Sequence, residues 1–272
     1  MGRIDQAIEK ASKLRQLKSS EESVQPNSEI ISTQQPVDER EQLLDVDPIQ
    51  VENPFITLFN KRFDPAAEEY KKLRSIVKKM TQGKEFRNAL MVTSTISSEG
   101  KTITSINLAM ALAQEYDHTV LLVDADLRKP AVHRYLNVNP EVGLVQCLKD
   151  GVPLDRALIK TGLGKLVILP AGGQVDDPVE FLSSNRMKDL VAELKNRYPD
   201  RFIIFDTPPI LPFADGQALG NFVDGVLFVV REGCAKLGQV KEALKSVDPV
   251  KLLGVVYNDT EFTPQQGKYY YY

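Results

Sequence analysis

Apolar residues recur along this chain with two different periods, and the change of period divides it. Over residues 3–18, Ile4, Ala7, Ile8, Ala11, Leu14 and Leu17 return at helical spacing, with Arg3, Lys10, Lys13, Arg15 and Lys18 among the other positions. The pattern predicts an amphipathic helix over residues 1–18, detached from the main domain. Its basic face suits an anionic membrane; docking on a partner or packing back on its own domain are also open to it. From Ser19 to about Pro54, Ser, Gln, Glu, Pro and Asn predominate without periodicity. Such a stretch has too little apolar surface to offset the entropy of ordering, so residues 19–63 read as a flexible linker.

Asp64-Pro65 then opens a helix that runs to about Met80, with Asp as cap and Pro suited to the first turn. Beyond it the apolar residues gather into short continuous runs at Ala89–Ser94, Thr119–Asp124, Leu166–Pro170, Arg201–Asp206, Gly225–Arg231 and Leu252–Tyr257. Helical stretches at Thr102–Tyr116, Pro178–Tyr198 and Lys236–Ser246 separate them. Uninterrupted apolar strands alternating with helices predict an α/β domain over residues 64–262, three layers deep, its mainly parallel sheet covered on both faces. In such sheets ligands bind beyond the carboxyl ends of the strands.

Composition narrows the function. Lys plus Arg number 34 against 37 Asp plus Glu, a net charge of −3, so there is no global electrostatic reason to bind nucleic acid. Cys147 and Cys234 stand in no metal-ligand or redox spacing and read as reduced thiols of a cytoplasmic protein. No apolar run approaches the ~20 residues of a spanning helix, and the N-terminus lacks the apolar core of a signal peptide.

Chemistry concentrates at three strand ends. The first strand leads through Ser94-Thr95-Ile96-Ser97-Ser98-Glu99-Gly100 into Lys101-Thr102-Ile103 and an amphipathic helix. Strand, loop, Gly-Lys-Thr and helix is the context of a P-loop. There, backbone amides and the helix N-terminus cradle phosphates, Lys101 reaches the β and γ oxygens, and Thr102 supports magnesium. The strict pattern G-x-x-x-x-G-K-S/T is not met, since Thr95 stands where the first Gly belongs. The second strand ends in Asp124-Ala125-Asp126-Leu127-Arg128, two carboxylates that are costly to desolvate without a cation. Pairing with Arg128 is the structural alternative. The strand Phe202–Phe205 runs into Asp206-Thr207-Pro208-Pro209, the usual second acidic element of a P-loop enzyme. Past these motifs the tail, residues 263–272, ends in Tyr269, Tyr270, Tyr271 and Tyr272, aromatics at a chain end with nothing to bury against.

In this order, the P-loop, Asp-x-Asp-x-Arg, Asp-x-Pro-Pro and the terminal tyrosines resemble the bacterial tyrosine kinases (BY-kinases) that regulate capsule and exopolysaccharide synthesis. The likeness spans about residues 64–272. It is nearest to the separately encoded cytoplasmic form found with exopolysaccharide export systems, including the autokinases of exosortase loci. The resemblance implies a P-loop NTPase fold with Walker A at Ser94–Thr102, an A-prime motif at Asp124, Asp126 and Arg128, and Walker B at Asp206. Glu68, Lys71 and Arg74 fall on the family's Glu-x-x-Arg-x-x-Arg oligomer-interface motif, with Lys at the middle position keeping the charge but not the guanidinium fork. Members often carry Pro-Gly where this chain has Ser97-Ser98, so a backbone position eased by Gly must here be adopted by Ser.

The implied activity is ATP-dependent autophosphorylation with Mg2+. Lys101 and the loop residues Ser97–Ile103 hold ATP. Thr102, Asp126 and Asp206 organise the metal, and Asp124 accepts the proton of an incoming phenol. Transfer would run in trans onto Tyr269–Tyr272 within a homo-oligomer that the added charge then loosens. Implied partners are the cytoplasmic segment of a membrane polysaccharide co-polymerase or chain-length determinant, which would recruit the protein to the inner face of the membrane, and a tyrosine phosphatase. Asn258 reads either as a base contact or as a turn former, Tyr257 as core, and Asp215 has no assigned role. Two other readings stand beside the kinase. One is a partitioning or cell-division ATPase, though Ile96 occupies the position of the loop lysine that reaches across the dimer in that class. The other is a nucleotide-dependent scaffold without catalysis.

Overall fold

The computed structural model describes residues 46–260, apart from 61–63, 84–86, 116 and 198–199. The helix expected over 1–18 and the tail over 263–272, Tyr269–Tyr272 included, lie outside the described residues. In chain order the elements are α1 (Thr57–Asn60), α2 (Pro65–Thr81), β1 (Ala89–Ser94), α3 (Lys101–Ala113), β2 (Thr119–Asp124), α4 (Val132–Tyr135), α5 (Leu144–Asp150) and α6 (Leu154–Ala157). There follow β3 (Ile159–Lys160), β4 (Leu166–Leu169), α7 (Pro178–Leu182), α8 (Asn185–Arg197), β5 (Arg201–Asp206), α9 (Asp215–Gly220), β6 (Gly225–Arg231), α10 (Leu237–Lys245) and β7 (Leu252–Asn258).

Among the described residues seven strands form one sheet in the order β3-β4-β2-β5-β1-β6-β7, parallel except for β3. The central strands are buried along their whole length because each face carries its own core. Leu90, Val92, Leu122 and Ile204 point into a cluster with Ile106, Leu108 and Leu112 of α3 and Val77 of α2. Their neighbours Ala89, Met91, Val123 and Phe205 point into the opposite cluster with Val191 and Leu194 of α8 and Ala243 of α10. Alternation between two cores is why these strands read as continuous apolar runs, and it produces the expected three layers.

Asp64 caps α2 as expected: its carboxylate accepts from the Ala66 amide at 2.9 Å, and Pro65 occupies the first turn. Part of the segment read as linker packs on the domain. Val51 and Ile56 are buried, and Asn107 of α3 accepts from the Thr57 amide and donates to the Phe55 carbonyl. The stretch read as one helix over 178–198 is two helices. Ser183 and Ser184 separate them, and the Ser184 hydroxyl accepts from the Met187 amide to start the second. Among the described residues no helix is long and apolar enough to cross a membrane.

Candidate active site

The carboxyl ends of β1, β2 and β5 bring the three motifs together, and local sequence explains how each is held. The Thr207 hydroxyl and amide both donate to the Val92 carbonyl, and the Thr93 hydroxyl donates to the Pro208 carbonyl at 2.9 Å. The rigid Asp-Thr-Pro-Pro exit is thereby fastened to the strand that feeds the phosphate loop.

In that loop Ser97 and Ser98 are exposed at the tip and Glu99 is wholly buried. Ser98 has φ 67°, so the serine does adopt the left-handed conformation expected of it. Gly100 has φ 89° and is the N-cap of α3 without a side-chain cap, which leaves the first-turn amides uncapped at the positive end of a 13-residue helix. That is an anion site by construction. Lys101 and Ile103 are half-buried and Thr102 is buried. Asn258, at the end of β7, donates through its amide to the Glu99 carbonyl at 2.9 Å.

Asp124 and Asp206 are register partners across the β2–β5 pair. Asp206 accepts from the Thr102 hydroxyl at 2.7 Å and from the Ser105 hydroxyl at 3.1 Å. Asp124 Oδ2 accepts from the Ala131 and Val132 amides, both at 3.0 Å, while its buried Oδ1 has no hydrogen-bond partner. Asp126 takes the Lys101 ammonium at 2.7 Å on one oxygen and the Lys129 amide at 3.0 Å on the other. Burial, then the charges of Asp206 and Asp126, push the Asp124 carboxyl up to about 8 against the pull of its two amide donors. Burial also pushes Asp206 up, opposed by Lys101 and the Thr102 hydroxyl. Burial disfavours the Lys101 charge, but Asp206 and Asp126 outweigh it and raise its pKa.

Asp215 belongs to none of the sequence motifs, and the fold supplies its partner. Arg128 donates from Nε at 2.6 Å and from a terminal nitrogen at 3.1 Å to the two oxygens of Asp215, which is wholly buried, and it stacks on Phe213 at 4.5 Å. Arg128 therefore pairs with Asp215, and the two A-prime carboxylates are left to the site. Elsewhere Tyr257, read as core, is 58% exposed, because β7 ends the sheet order. On α2, Glu68 and Lys71 pair with each other at the surface. Arg74 turns inward to the Ala111 carbonyl at 3.1 Å and to Glu115 at 3.2 Å, beside Lys78.

Among the described residues no group of three or more His, Cys, Asp and Glu side chains forms a ready metal cage. The donor set nonetheless fits magnesium, which is commonly held by one or two carboxylates together with phosphate and water oxygens. Asp206, Asp126 and the Thr102 hydroxyl offer hard oxygen donors, and the bare Oδ1 of Asp124 is a buried polar atom that its surroundings do not satisfy.

The CobQ/CobB/MinD/ParA nucleotide binding domain family matches residues 90–268. The chain is 36% identical over 209 residues to the tyrosine-protein kinase YwqD of Bacillus subtilis, covering 76% of this chain and 86% of YwqD. It is 32% identical over 208 residues to the succinoglycan biosynthesis transport protein ExoP of Rhizobium meliloti, covering 75% of this chain but only 26% of ExoP. Among solved structures, the kinase domain of the Escherichia coli tyrosine kinase ETK superposes with a TM-score of 0.69 at 29% identity, over 80% of this chain and 86% of that domain. By its fold, its loop and these relatives, the chain belongs to the bacterial tyrosine-protein kinase family, within the CobQ/CobB/MinD/ParA nucleotide-binding domains.

Proposed function

We propose that the protein is an ATP-dependent tyrosine autokinase that phosphorylates its own Tyr269–Tyr272 in trans and so regulates polysaccharide polymerisation and export. The observation that supports this most is the meeting of Lys101, Thr102, Asp124, Asp126 and Asp206 at adjacent strand ends beside an uncapped helix N-terminus. Relatives named as tyrosine-protein kinases, and ExoP named for succinoglycan biosynthesis and transport, support the substrate class and the process.

In this reading the α3 amides, Gly100 and Lys101 bind and orient the ATP phosphates. Thr102, Asp126 and Asp206 would hold Mg2+, which supplies charge neutralisation of the transferring phosphoryl group. The phenol oxygen of a tail tyrosine forms a bond to the γ-phosphorus as the bond to the ADP oxygen breaks, and the phenolic proton passes to Asp124. A phenol ionises near pH 10, and the cations that would occupy the site favour the ionised form of Asp124 that a proton acceptor requires. Catalysis is thus mostly placement and electrostatics. A membrane polysaccharide co-polymerase would recruit and activate the kinase, and a tyrosine phosphatase would reset it.

Intact mass of the purified protein with Mg-ATP tests the proposal. Gains of one or more phosphates that vanish in Lys101→Met and in the variant with Tyr269–Tyr272 changed to Phe are expected. No gain in the wild type, with the activator segment present, would leave a nucleotide-dependent scaffold instead.

A further inference from the structure

We infer that Glu99 and Asn258 are positioning residues that set the shape of the phosphate loop, and that neither side chain contacts the nucleotide. This rests on the loop binding nucleotide, not on kinase activity. Glu99 is wholly buried although it lies between the exposed tip residue Ser98 and the half-buried Gly100. Its Oε2 accepts from the Ile96 amide at 2.7 Å, closing the loop on itself, and its Oε1 accepts from the Arg231 amide at 3.3 Å, tying the loop to the end of β6. From the other side Asn258 holds the Glu99 carbonyl. The Arg231 guanidinium approaches the Ser98 carbonyl at 3.5 Å while paired with Asp259.

Arg231 and Asn258, at the ends of the last two strands, thus hold the loop over Ser98–Gly100, in which Ser98 and Gly100 have left-handed backbone. A serine held at φ 67° needs surroundings that over-determine it, and these contacts supply them. The approach at Gly100 is close: a Cβ there would stand 2.1 Å from the Asn258 amide nitrogen. An amide engaged with a loop carbonyl at that range is committed to the loop.

The sign of one substitution separates positioning from mere proximity. A carboxylate beside a polyphosphate repels it, so if Glu99 were a bystander, Glu99→Gln would leave nucleotide affinity equal or improved. As a positioning residue its loss acts the other way. Gln cannot accept from both amides, the loop relaxes, and affinity for methylanthraniloyl-ADP falls about tenfold. For Asn258→Ala the discriminating probe is inorganic tripolyphosphate, which has no base. Positioning predicts that tripolyphosphate, measured by displacement of methylanthraniloyl-ADP, weakens by the same factor as the nucleotide. Each variant's nucleotide-free melting temperature is measured alongside. An affinity loss without a matching drop in melting supports the inference, and should Glu99→Gln not fold, Asn258→Ala carries the test alone. Unchanged or tighter binding by Glu99→Gln, or a loss by Asn258→Ala confined to the nucleotide, overturns it. Absence of nucleotide binding by the wild type would overturn the reading of the loop itself.

Discussion

Asp124 and Asp206 stand side by side as register partners at the ends of β2 and β5, two fully buried carboxylates whose charges disfavour one another. Thr102 and Ser105 cover Asp206, whereas one oxygen of Asp124 is left bare. The pair costs the nucleotide-free fold stability and keeps a strong demand for positive charge at this point, a pattern common to sites built for function.

Replacing Asp124 by Asn is therefore expected to stabilise the nucleotide- and cation-free protein and, under the proposed mechanism, to abolish autophosphorylation. The Asn carbonyl retains the Ala131 and Val132 donors, and its amide group faces neighbouring carboxylates. The folded-state pKa of Asp124 lies above its ordinary 3.8, so its penalty is absent below about pH 4, grows as pH rises, and is complete above about 8. Melting curves from pH 5 to 8.5 in chelator-treated buffer should show the wild type losing stability relative to the variant, with a gap of at least ~2 °C at pH 8. Equal melting at pH 8 would contradict the burial argument.

Asp215 is the buried half of its pair with Arg128, so Asp215→Ala leaves a guanidinium facing a void and costs ~1–3 kcal/mol in denaturant unfolding. Arg128→Lys keeps the charge but loses the two-pronged contact and the stack on Phe213, and should fall between that variant and the wild type. A Lys variant as stable as the wild type would mean that geometry is immaterial here.

Opposite effects are expected at the two left-handed loop positions. Gly100→Ala forces a Cβ onto Asn258 at φ 89° and should lower stability by ~1–2 kcal/mol along with nucleotide affinity. Ser98→Gly relieves a strained serine and should raise the melting temperature by ~2 °C. Calorimetry of both variants checks the pair of signs.

On α2 the proposed interface residues should separate in their effects. Arg74→Ala breaks contacts to Ala111 and Glu115 at the C-terminal end of α3 and costs ~1 kcal/mol of domain stability. Glu68→Ala and Lys71→Ala leave melting within ~1 °C, because an exposed ion pair contributes little. If these three carry the homo-oligomer, light scattering behind size exclusion will show lower mass for Glu68→Ala and Lys71→Ala at unchanged stability.

How much of this was legible beforehand follows from what neighbouring residues can reveal. β1, β2, β5 and β6 were readable to the residue, because burial on both faces writes an unbroken apolar run that stops at a polar strand end. β3, two residues paired antiparallel at the opposite edge, writes no period at all. The break between α7 and α8 had a signal in Ser183-Ser184, which helical spacing overrode. Tyr257 is exposed where its composition predicts core, because β-type composition does not distinguish an edge strand from a central one. Lys101, Asp124, Asp126 and Asp206 could be found from local motifs, whereas the Arg128–Asp215 pair spans 87 positions and the Asn258–Glu99 contact 159. Only the folded topology brings such residues together.

Helix α3 carries a last consequence. All of its residues from Thr102 to Ala113 except Ile103 are buried, clad by the sheet on one side, by α2 on another, and stitched through Asn107 to Phe55 and Thr57. A helix with so little exposed surface has little room to tilt or slide. In the proposed reaction the phosphate end of the site would be an anvil, and the work of bringing phenol to phosphate would fall on whatever carries the tyrosine. Under the proposed transfer in trans, turnover would be metered by delivery of the tail, its throughput would follow how many copies stand close together, and assembly itself would become the throttle.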